Sequence, residues 1–313
     1  MKYLFPLFSV GAVIYFVAAV PAVPAPDEVP PVVYEHAATW EAEGDYWTRG
    51  VWHLAVAPNG NVYVLDKYCV NLFTAEGAYL GEWSTYGTGV GEIYNPADIA
   101  VATNGDVYVT SCEGACVHRF TAEGSFINSF GTSEDQNRGL FAPGGVAVGP
   151  NGNVYVTDGN PNRIFFYDPS GSYLGRWSLD MTWFRRELPF AWGVAVNSEG
   201  VVYITDYYAN RVQYFTPTGS YIGGWGETGD GPGEFQDPQG VGIGPDGTVF
   251  IADYGNHRVQ YFSPTGTFLG SFGKEGAGPG EFYNPSDVAI APDGTVYVAD
   301  TVNHRVQVFK PVR

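Results

Sequence analysis

Residues 253–262 read DYGNHRVQYF, and residues 300–309 read DTVNHRVQVF. Each phrase begins at the end of a longer unit with an apolar run and a tight turn, as in VGIGPDGTVFIAD (241–253). The chain contains this unit six times, and the last residues of successive units are 45, 47, 48, 47 and 47 positions apart. Regular spacing at this length is typical of propellers and solenoids. The other five units end at Asp66, Ser111, Asp158, Asp206 and Asp300.

Each unit divides into four short strands. The first two strands are joined by Asn-Gly or Asp-Gly in five units, which is a strong hairpin signal. A second tight turn, such as PTGS (217–220), precedes a fourth strand that ends in an aromatic residue. The pattern predicts an all-β fold, a six-bladed β-propeller of four-stranded antiparallel blades. The aromatic end residues are Trp83, Phe130, Trp177, Trp225 and Phe272.

The last blade lacks a strand, because the sixth unit stops at VFKPVR (308–313). An open sheet edge invites aggregation, so a closed ring needs another segment there. The segment HAATW (36–40) precedes the first unit and ends in Trp40, as fourth strands do. We therefore expect this N-terminal strand to complete the last blade, so that the propeller spans residues 33–313.

The unit EFxxPxGVxIxPDGxVxxADxxNHRVQxF, as in residues 234–262, resembles the NHL repeat. The resemblance extends over about residues 33–313, is specific in blades 3 to 6 and weakens in blades 1 and 2. It implies a six-bladed propeller but no single function. Relatives in the family include RNA-binding domains, sensor domains of bacterial kinases, ligand-binding modules and a zinc-dependent lyase that completes peptide amidation.

The N-terminus differs from the repeats. Lys2 is followed by an apolar run from Leu4 to Val20 and then by small residues, which is typical of a signal peptide. We expect residues 1–22 to be cleaved after Ala22, with an uncleaved membrane anchor as the alternative. Residues 23–32 read as a Pro-rich linker. The mature protein is thus predicted to be secreted or extracytoplasmic, with no further membrane insertion.

The charge balance limits the partners. The chain has 33 acidic and 15 basic residues, a formal net charge of −18. Nucleic-acid binding depends on Lys and Arg contacts with phosphate, so this partner class is excluded. We expect a monomeric binding module for a protein, peptide or glycan. The alternative is a metal-dependent lyase like the amidating enzyme, in which the resemblance implies that several inner-strand histidines hold the metal. Here only His53 starts an inner strand, and no catalytic residue is assigned.

Four blades carry an aspartate and an arginine five positions apart. Blade 2 has Ser111 and Cys116 at these positions, so both charges are absent together, while blade 1 keeps Asp66 but has Cys69. Since an unpaired buried charge is costly, we interpret the two charges as structural ion pairs across the hairpin. The predicted pairs are Asp158/Arg163, Asp206/Arg211, Asp253/Arg258 and Asp300/Arg305.

Three cysteines in a secreted chain leave one without a partner. Cys112 and Cys116 flank a three-residue hairpin tip that can bring them within bridging distance. We predict a Cys112–Cys116 disulfide that replaces the missing ion pair of blade 2.

Two connections between blades, 41–52 and 179–192, depart from the glycine-rich pattern of the others and lie before opposite blades. Their aromatic and basic residues form either a packed hydrophobic plug or a clamp for a peptide, glycan or anionic ligand. The candidate binding residues are Trp47, Arg49, Trp52, Trp183, Arg185, Arg186 and Trp192.

One position at the start of each inner strand should line the central channel. It is occupied by His53, Asp98 and Asp287 in the adjacent blades 1, 2 and 6, and by glycine elsewhere. These three polar residues form either a hydrated rim or a sparse site that holds a metal ion weakly or binds a cationic group, and no other cofactor is expected.

Overall fold

The computed structural model describes residues 32–41, 50–83, 86–111, 114–132, 139–159, 162–179 and 190–312. The predicted signal peptide (1–22) and the linker up to residue 31 lie outside these ranges. A compact unit spans Val32–Arg313. Within the described part of the chain, no helix is long and apolar enough to cross a membrane.

Six four-stranded antiparallel sheets form the predicted propeller, so the expected fold class is confirmed. Each sheet is a meander whose first strand lies innermost, and the six innermost strands contact one another in cyclic order. The first three blades have the following strands. Blade 1 contains β2 (His53–Val56), β3 (Val62–Leu65), β4 (Val70–Phe73) and β5 (Tyr79–Trp83). Blade 2 contains β6 (Pro96–Val101), β7 (Val107–Ser111), β8 (Cys116–Phe120) and β9 (Phe126–Phe130). Blade 3 contains β10 (Pro143–Val148), β11 (Val154–Asp158), β12 (Arg163–Tyr167) and β13 (Tyr173–Ser178).

The other three blades repeat this order. Blade 4 contains β14 (Ala191–Val196), β15 (Val202–Asp206), β16 (Arg211–Phe215) and β17 (Tyr221–Trp225). A short parallel pair, β18 (Glu227–Thr228) and β19 (Glu234–Phe235), lies in the next connection. Blade 5 contains β20 (Pro238–Ile243), β21 (Val249–Asp253), β22 (Arg258–Phe262) and β23 (Phe268–Phe272), with a 3-10 turn at Tyr254–Asn256. Blade 6 contains β24 (Pro285–Ile290), β25 (Val296–Asp300), β26 (Arg305–Val312) and, outermost, β1 (Val33–Glu41).

The ring is closed by the N-terminal strand, as predicted. Strand β1 pairs antiparallel with β26, and Trp40 lies opposite Val306. The apolar side chains of Trp40, Val306 and Val308 join one buried cluster with Leu54 of blade 1. The two ends of the chain therefore share one blade, and that blade has no free outer edge on β26.

The aromatic residues that end the outer strands pack on the next blade. A Cβ atom added at Gly77 would collide with the Trp40 ring, and one at Gly124 would collide with Trp83. Both glycines have positive φ, 89° and 84°, in the tight turn before a fourth strand. Glycine is required at these turns for two reasons, the left-handed backbone and the close approach of an aromatic ring. The same contact joins Phe130 to Gly171, Trp177 to Gly219 and Trp225 to Gly266.

Candidate functional site

The structure brings His53, Asp98 and Asp287 together at the innermost strands of blades 1, 2 and 6. His53 Nδ1 is 3.2 Å from Asp98 Oδ1 and 3.7 Å from Asp287 Oδ2. All three residues are buried, with 7 %, 9 % and 7 % of their surface exposed. A rim of acids that face water, one of the two interpretations of these positions, therefore does not describe this cluster, which we call the channel triad.

Backbone N–H groups hold the two carboxylates of the channel triad. Asp98 Oδ2 accepts a hydrogen bond from Val146 N of blade 3 at 2.8 Å, and Asp287 Oδ2 accepts one from Leu54 N of blade 1 at 2.8 Å. The other carboxylate oxygens accept from the next residue of their own strands, at 2.7 and 2.8 Å. Each aspartate thus connects its own blade to the following one, and the hydrogen bonds fix the orientation of both carboxylates.

The two carboxylates determine the charge of His53. Burial alone would lower the pKa of this imidazole, but the adjacent Asp98 and Asp287 outweigh burial and raise the pKa to about 10. Burial raises the pKa of Asp98, and the His53 charge opposes this shift. At neutral pH the channel triad therefore contains an imidazolium between two acidic groups.

The channel triad also has the composition of a metal site. Its three ligand atoms lie within 4.8 Å of one another, the one such group among the described residues. One imidazole nitrogen and two carboxylate oxygens suit a borderline cation such as Zn²⁺. However, His53 Nδ1 points at both carboxylates and holds a proton there, so a metal ion would first have to displace that proton. The donor set fits a metal ion only in competition with the imidazolium, and a weakly held metal stays a prediction.

The other half of the channel wall leaves no room for side chains. A Cβ atom at Gly145 would lie 2.6 Å from the carbonyl oxygen of Trp192, and one at Gly193 would lie 2.5 Å from that of Gln239. Hydroxyl groups complete this contact, because Thr157 Oγ1 donates to Trp192 O at 2.6 Å. The glycine positions therefore reflect direct packing of one blade on the next, and at this strand position polar side chains stand in blades 6, 1 and 2.

An aromatic cluster lies next to the channel in blade 4. The ring centroid of Trp192 is 5.8 Å from that of Phe190 and 5.7 Å from that of Tyr207. Tyr208 lies 5.3 Å from Phe190 and 5.1 Å from Tyr207, and it is 51 % exposed. We call Phe190, Trp192, Tyr207 and Tyr208 the blade 4 aromatic cluster. Its two tyrosines were not predicted, although the Tyr-Tyr pair directly after Asp206 could have indicated them.

The other predicted clamp residues divide into two groups. Trp52 occupies the same position in blade 1 as Trp192 does in blade 4, and it is 42 % exposed. The remaining candidates lie outside the described residues, so their part in a clamp stays a prediction. They are Trp47, Arg49, Trp183, Arg185 and Arg186.

Among the described contacts, three of the four predicted Asp–Arg pairs are ion pairs. The N···O distances are 3.4 Å for Asp206/Arg211, 2.8 Å for Asp253/Arg258 and 2.6 Å for Asp300/Arg305. In blade 3, Asp158 and Arg163 lie opposite each other in the strand register. The Asp158 carboxylate accepts hydrogen bonds from the backbone N–H groups of Phe141 and Ala142 there, at 2.9 and 2.8 Å.

The predicted disulfide involves one cysteine that the structure does not describe. Cys116 is buried and carries a free thiol, 3.4 Å from His118 Nε2. Cys112 lies outside the described residues. The Cys112–Cys116 disulfide therefore stays a prediction for the oxidised protein.

The fold and the channel define a six-bladed β-propeller built from repeats of one sequence unit. The chain is an NHL-repeat β-propeller: the family model for the NHL repeat matches residues 142–167, 188–215, 235–262 and 282–309. These four matches fall in blades 3 to 6, and blades 1 and 2 complete the ring with more divergent repeats.

Solved structures of similar fold share little sequence with this chain. A virginiamycin B lyase from Staphylococcus aureus with quinupristin is 14 % identical, with a TM-score of 0.61 over 90 % of this chain and 100 % of that one. An auxiliary nutrient binding protein from Bacteroides ovatus is 16 % identical, with a TM-score of 0.65 over 90 % and 78 %. At such identities the likeness shows the fold alone. No curated protein matches the chain in sequence.

Proposed function

We propose that this protein is a secreted or cell-surface binding module. It takes a protein, peptide or glycan ligand on the face of the ring that carries the connections between blades. The observation that carries the proposal is the blade 4 aromatic cluster. Its four rings lie beside the channel, and Tyr208 is half exposed. Exposed, rigid aromatic groups on a fixed scaffold are the residues that most often dominate recognition.

The chemistry of the cluster favours a neutral or cationic ligand with an apolar face. Aromatic faces stack on sugar rings and on apolar or cationic side chains, while tyrosine hydroxyl groups supply hydrogen bonds at the edge. Burial raises the pKa of Tyr207, and Asp237 and Tyr254 raise it further, so this hydroxyl stays protonated at neutral pH. The negative charge of Asp237 also disfavours phosphate or carboxylate groups of a ligand beside Tyr207.

Glycan and peptide arrays probed with the purified protein test the proposal. For a ligand found there, Tyr208→Ala should weaken binding by about 1–2 kcal/mol, since the half-exposed ring would lose its contact area. Tyr221→Ala is the matched control, because Tyr221 is 42 % exposed but lies on the outer strand of the same blade. Equal losses in the two variants, or no bound ligand on any array, would reject a binding role for the cluster.

The secreted location has its own test. If residues 1–22 are a cleaved signal peptide, N-terminal sequencing of the natural protein should begin at Val23. A sequence that begins at Met1 in a membrane fraction would support the uncleaved anchor, and a protein that stays in the cytoplasm would contradict both alternatives.

A metal-dependent lyase is the second candidate, favoured by the position of the channel triad in the ring. The charge of His53 argues against this role, since a protonated imidazole can neither accept a proton nor ligate a metal. Metal analysis of the purified protein, with Zn²⁺ calorimetry on wild type and on Asp98→Ala/Asp287→Ala, separates the candidates. Stoichiometric zinc that the double variant loses would favour the lyase, whereas identical weak titrations favour the binding module.

A further inference from the structure

Blade 2 contains a groove with a volume of about 690 Å³ that lies away from the channel. One wall is the connection between blades 1 and 2, residues 87–92, and the other is formed by strands β7 to β9. Its lining includes Thr88, Gly89, Glu92, Cys116 and His118.

Blade 5 fills the equivalent space with its own side chains. Arg258 donates hydrogen bonds to the carbonyl oxygens of Asp230, Gly231 and Glu234 at 2.6, 2.8 and 3.0 Å. Gln260 Nε2 also donates to Glu234 O, at 2.6 Å. Arg305 and Gln307 make the same set of contacts in blade 6, at 2.5–2.9 Å. In both blades a guanidinium and an amide thus tie the connection to the third strand.

The connection has the same backbone conformation in blade 2. Gly89 N donates to Glu92 Oε2 at 2.8 Å and Glu92 N to Gly89 O at 3.1 Å, and the corresponding distances in blade 5 are 2.9 and 3.2 Å. A parallel bridge between Tyr86 and Ile93 replaces the one between Thr228 and Phe235. The carbonyl groups of Thr88, Gly89 and Glu92 therefore stand where Arg258 finds its three acceptors in blade 5.

The side chains that would meet these acceptors are different in blade 2. Cys116 lies opposite Ser111 in the strand register, as Arg258 lies opposite Asp253, and His118 takes the place of Gln260. Ser111 Oγ donates to Tyr94 O at 2.7 Å, and His118 lies between Cys116 Sγ at 3.4 Å and Ser129 Oγ at 2.7 Å. Ser111 thus bonds to the backbone, while Cys116 and His118 contact each other. The space that the guanidinium fills in blade 5 remains open in blade 2 as the groove.

The groove is rich in acceptors and carries negative charge. In the described part of the chain, no side chain donates a hydrogen bond to the carbonyl groups of Thr88 or Glu92. Glu92 is the charged side chain among the described lining residues. Burial lowers the pKa of His118, so its imidazole is neutral at neutral pH and does not repel a cation.

We infer that this groove binds a guanidinium group, which occupies the place that Arg258 and Arg305 take in their own blades. A guanidinium presents five N–H donors in a fixed plane and no acceptor, which matches a wall of carbonyl groups beside a carboxylate. The group could belong to free arginine or to an arginine side chain of a peptide, and the chemistry is the same. This site is separate from the blade 4 aromatic cluster.

Calorimetry on the reduced full-length protein tests the inference with arginine and citrulline. Citrulline has the same length but a neutral urea group with an acceptor oxygen, so it should bind about tenfold more weakly or not at all. N-acetylarginine amide distinguishes the sources: binding as tight as that of arginine indicates a peptide side chain, and loss of binding indicates the free amino acid. Equal binding of arginine and citrulline, or no binding of any guanidinium probe, overturns the inference.

A variant that rebuilds the blade 5 arrangement gives the second test. Ser111→Asp/Cys116→Arg/His118→Gln should fill the groove with the chain's own guanidinium, abolish arginine binding and raise the unfolding temperature. Cys69→Ser in blade 1 is the control and should bind arginine as wild type does. If the triple variant does not fold, Cys116→Met decides, because it fills the groove without an N–H donor and should weaken binding about tenfold. Undiminished arginine binding in a folded variant overturns the inference.

Discussion

The connection that precedes blade 2 has the same backbone conformation as those before blades 5 and 6, but different side chains hold it in place. In blades 5 and 6 a buried carboxylate, a guanidinium and an amide connect the hairpin to the preceding connection. In blade 2 the three positions hold Ser111, Cys116 and His118, and the connection keeps its conformation without them. The conformation of the connection is therefore set by its own glycines and glutamate, whereas the ion pair adds stability and fills space.

The channel shows a related contrast. Blades 3, 4 and 5 meet through glycines and backbone contacts, and blades 6, 1 and 2 meet through the buried charges of the channel triad. Direct packing needs no charge and does not depend on pH. The contact of a buried imidazolium with carboxylates depends on pH, so the two arcs of the ring should respond differently to pH and to mutation.

The largest effect is expected from His53→Gln, which leaves two buried carboxylates without their cation. We expect a loss of about 3–5 kcal/mol in the free energy of unfolding at pH 6. The raised pKa of His53, about 10 against 6.5, means that its contribution is complete below pH 6.5 and is lost as the pH rises toward 10. Urea unfolding of both proteins between pH 6 and 10 should show the difference shrinking with pH. A difference that does not change with pH would mean that His53 is neutral in the folded protein.

A smaller effect is expected from Arg258→Ala, about 2–4 kcal/mol, because the buried Asp253 loses its ion-pair partner and three carbonyl groups each lose one hydrogen bond. Asp253→Ala should cost about 1–3 kcal/mol. The double variant should recover part of the summed loss, since it leaves no unpaired charge. Cys116→Ala in blade 2 is the matched control and should cost less than Arg258→Ala. Strictly additive losses in urea unfolding would show that the two charges are not coupled.

The smallest effect on stability is expected from the predicted disulfide of blade 2. If Cys112 and Cys116 form a disulfide, reduction should lower stability by about 2 kcal/mol or less, because the closed loop is short. Mass spectrometry of an unreduced digest should find these two residues linked. A bridge from Cys69 to either of them would contradict the prediction.

The sequence was sufficient for the architecture and for bringing His53, Asp98 and Asp287 together at the channel, but not for the burial of these residues or for the groove of blade 2. Six blades, their strands and the closing role of Trp40 follow from a repeat that fixes local hydrogen bonding and therefore recurs. The burial of His53 depends on how three blades pack around the channel, which no single repeat encodes. The groove of blade 2 arises because Cys116 stands where blade 5 has Arg258. His118 stands where blade 5 has Gln260, and the effect of this difference is seen only when the two blades are superposed.

The pairing of β1 with β26 has a consequence for the order in which the blades fold. Each blade from 1 to 5 is a local meander and can form as soon as its own residues are available, since its pairings join neighbouring strands. The pairing of Trp40 with Val306 joins the two ends of the chain and must wait for the last blade. Contacts of such high sequence separation form late and slowly. Assembly of the ring should therefore end with a single slow closing step, and an arc of blades with exposed edges should precede it.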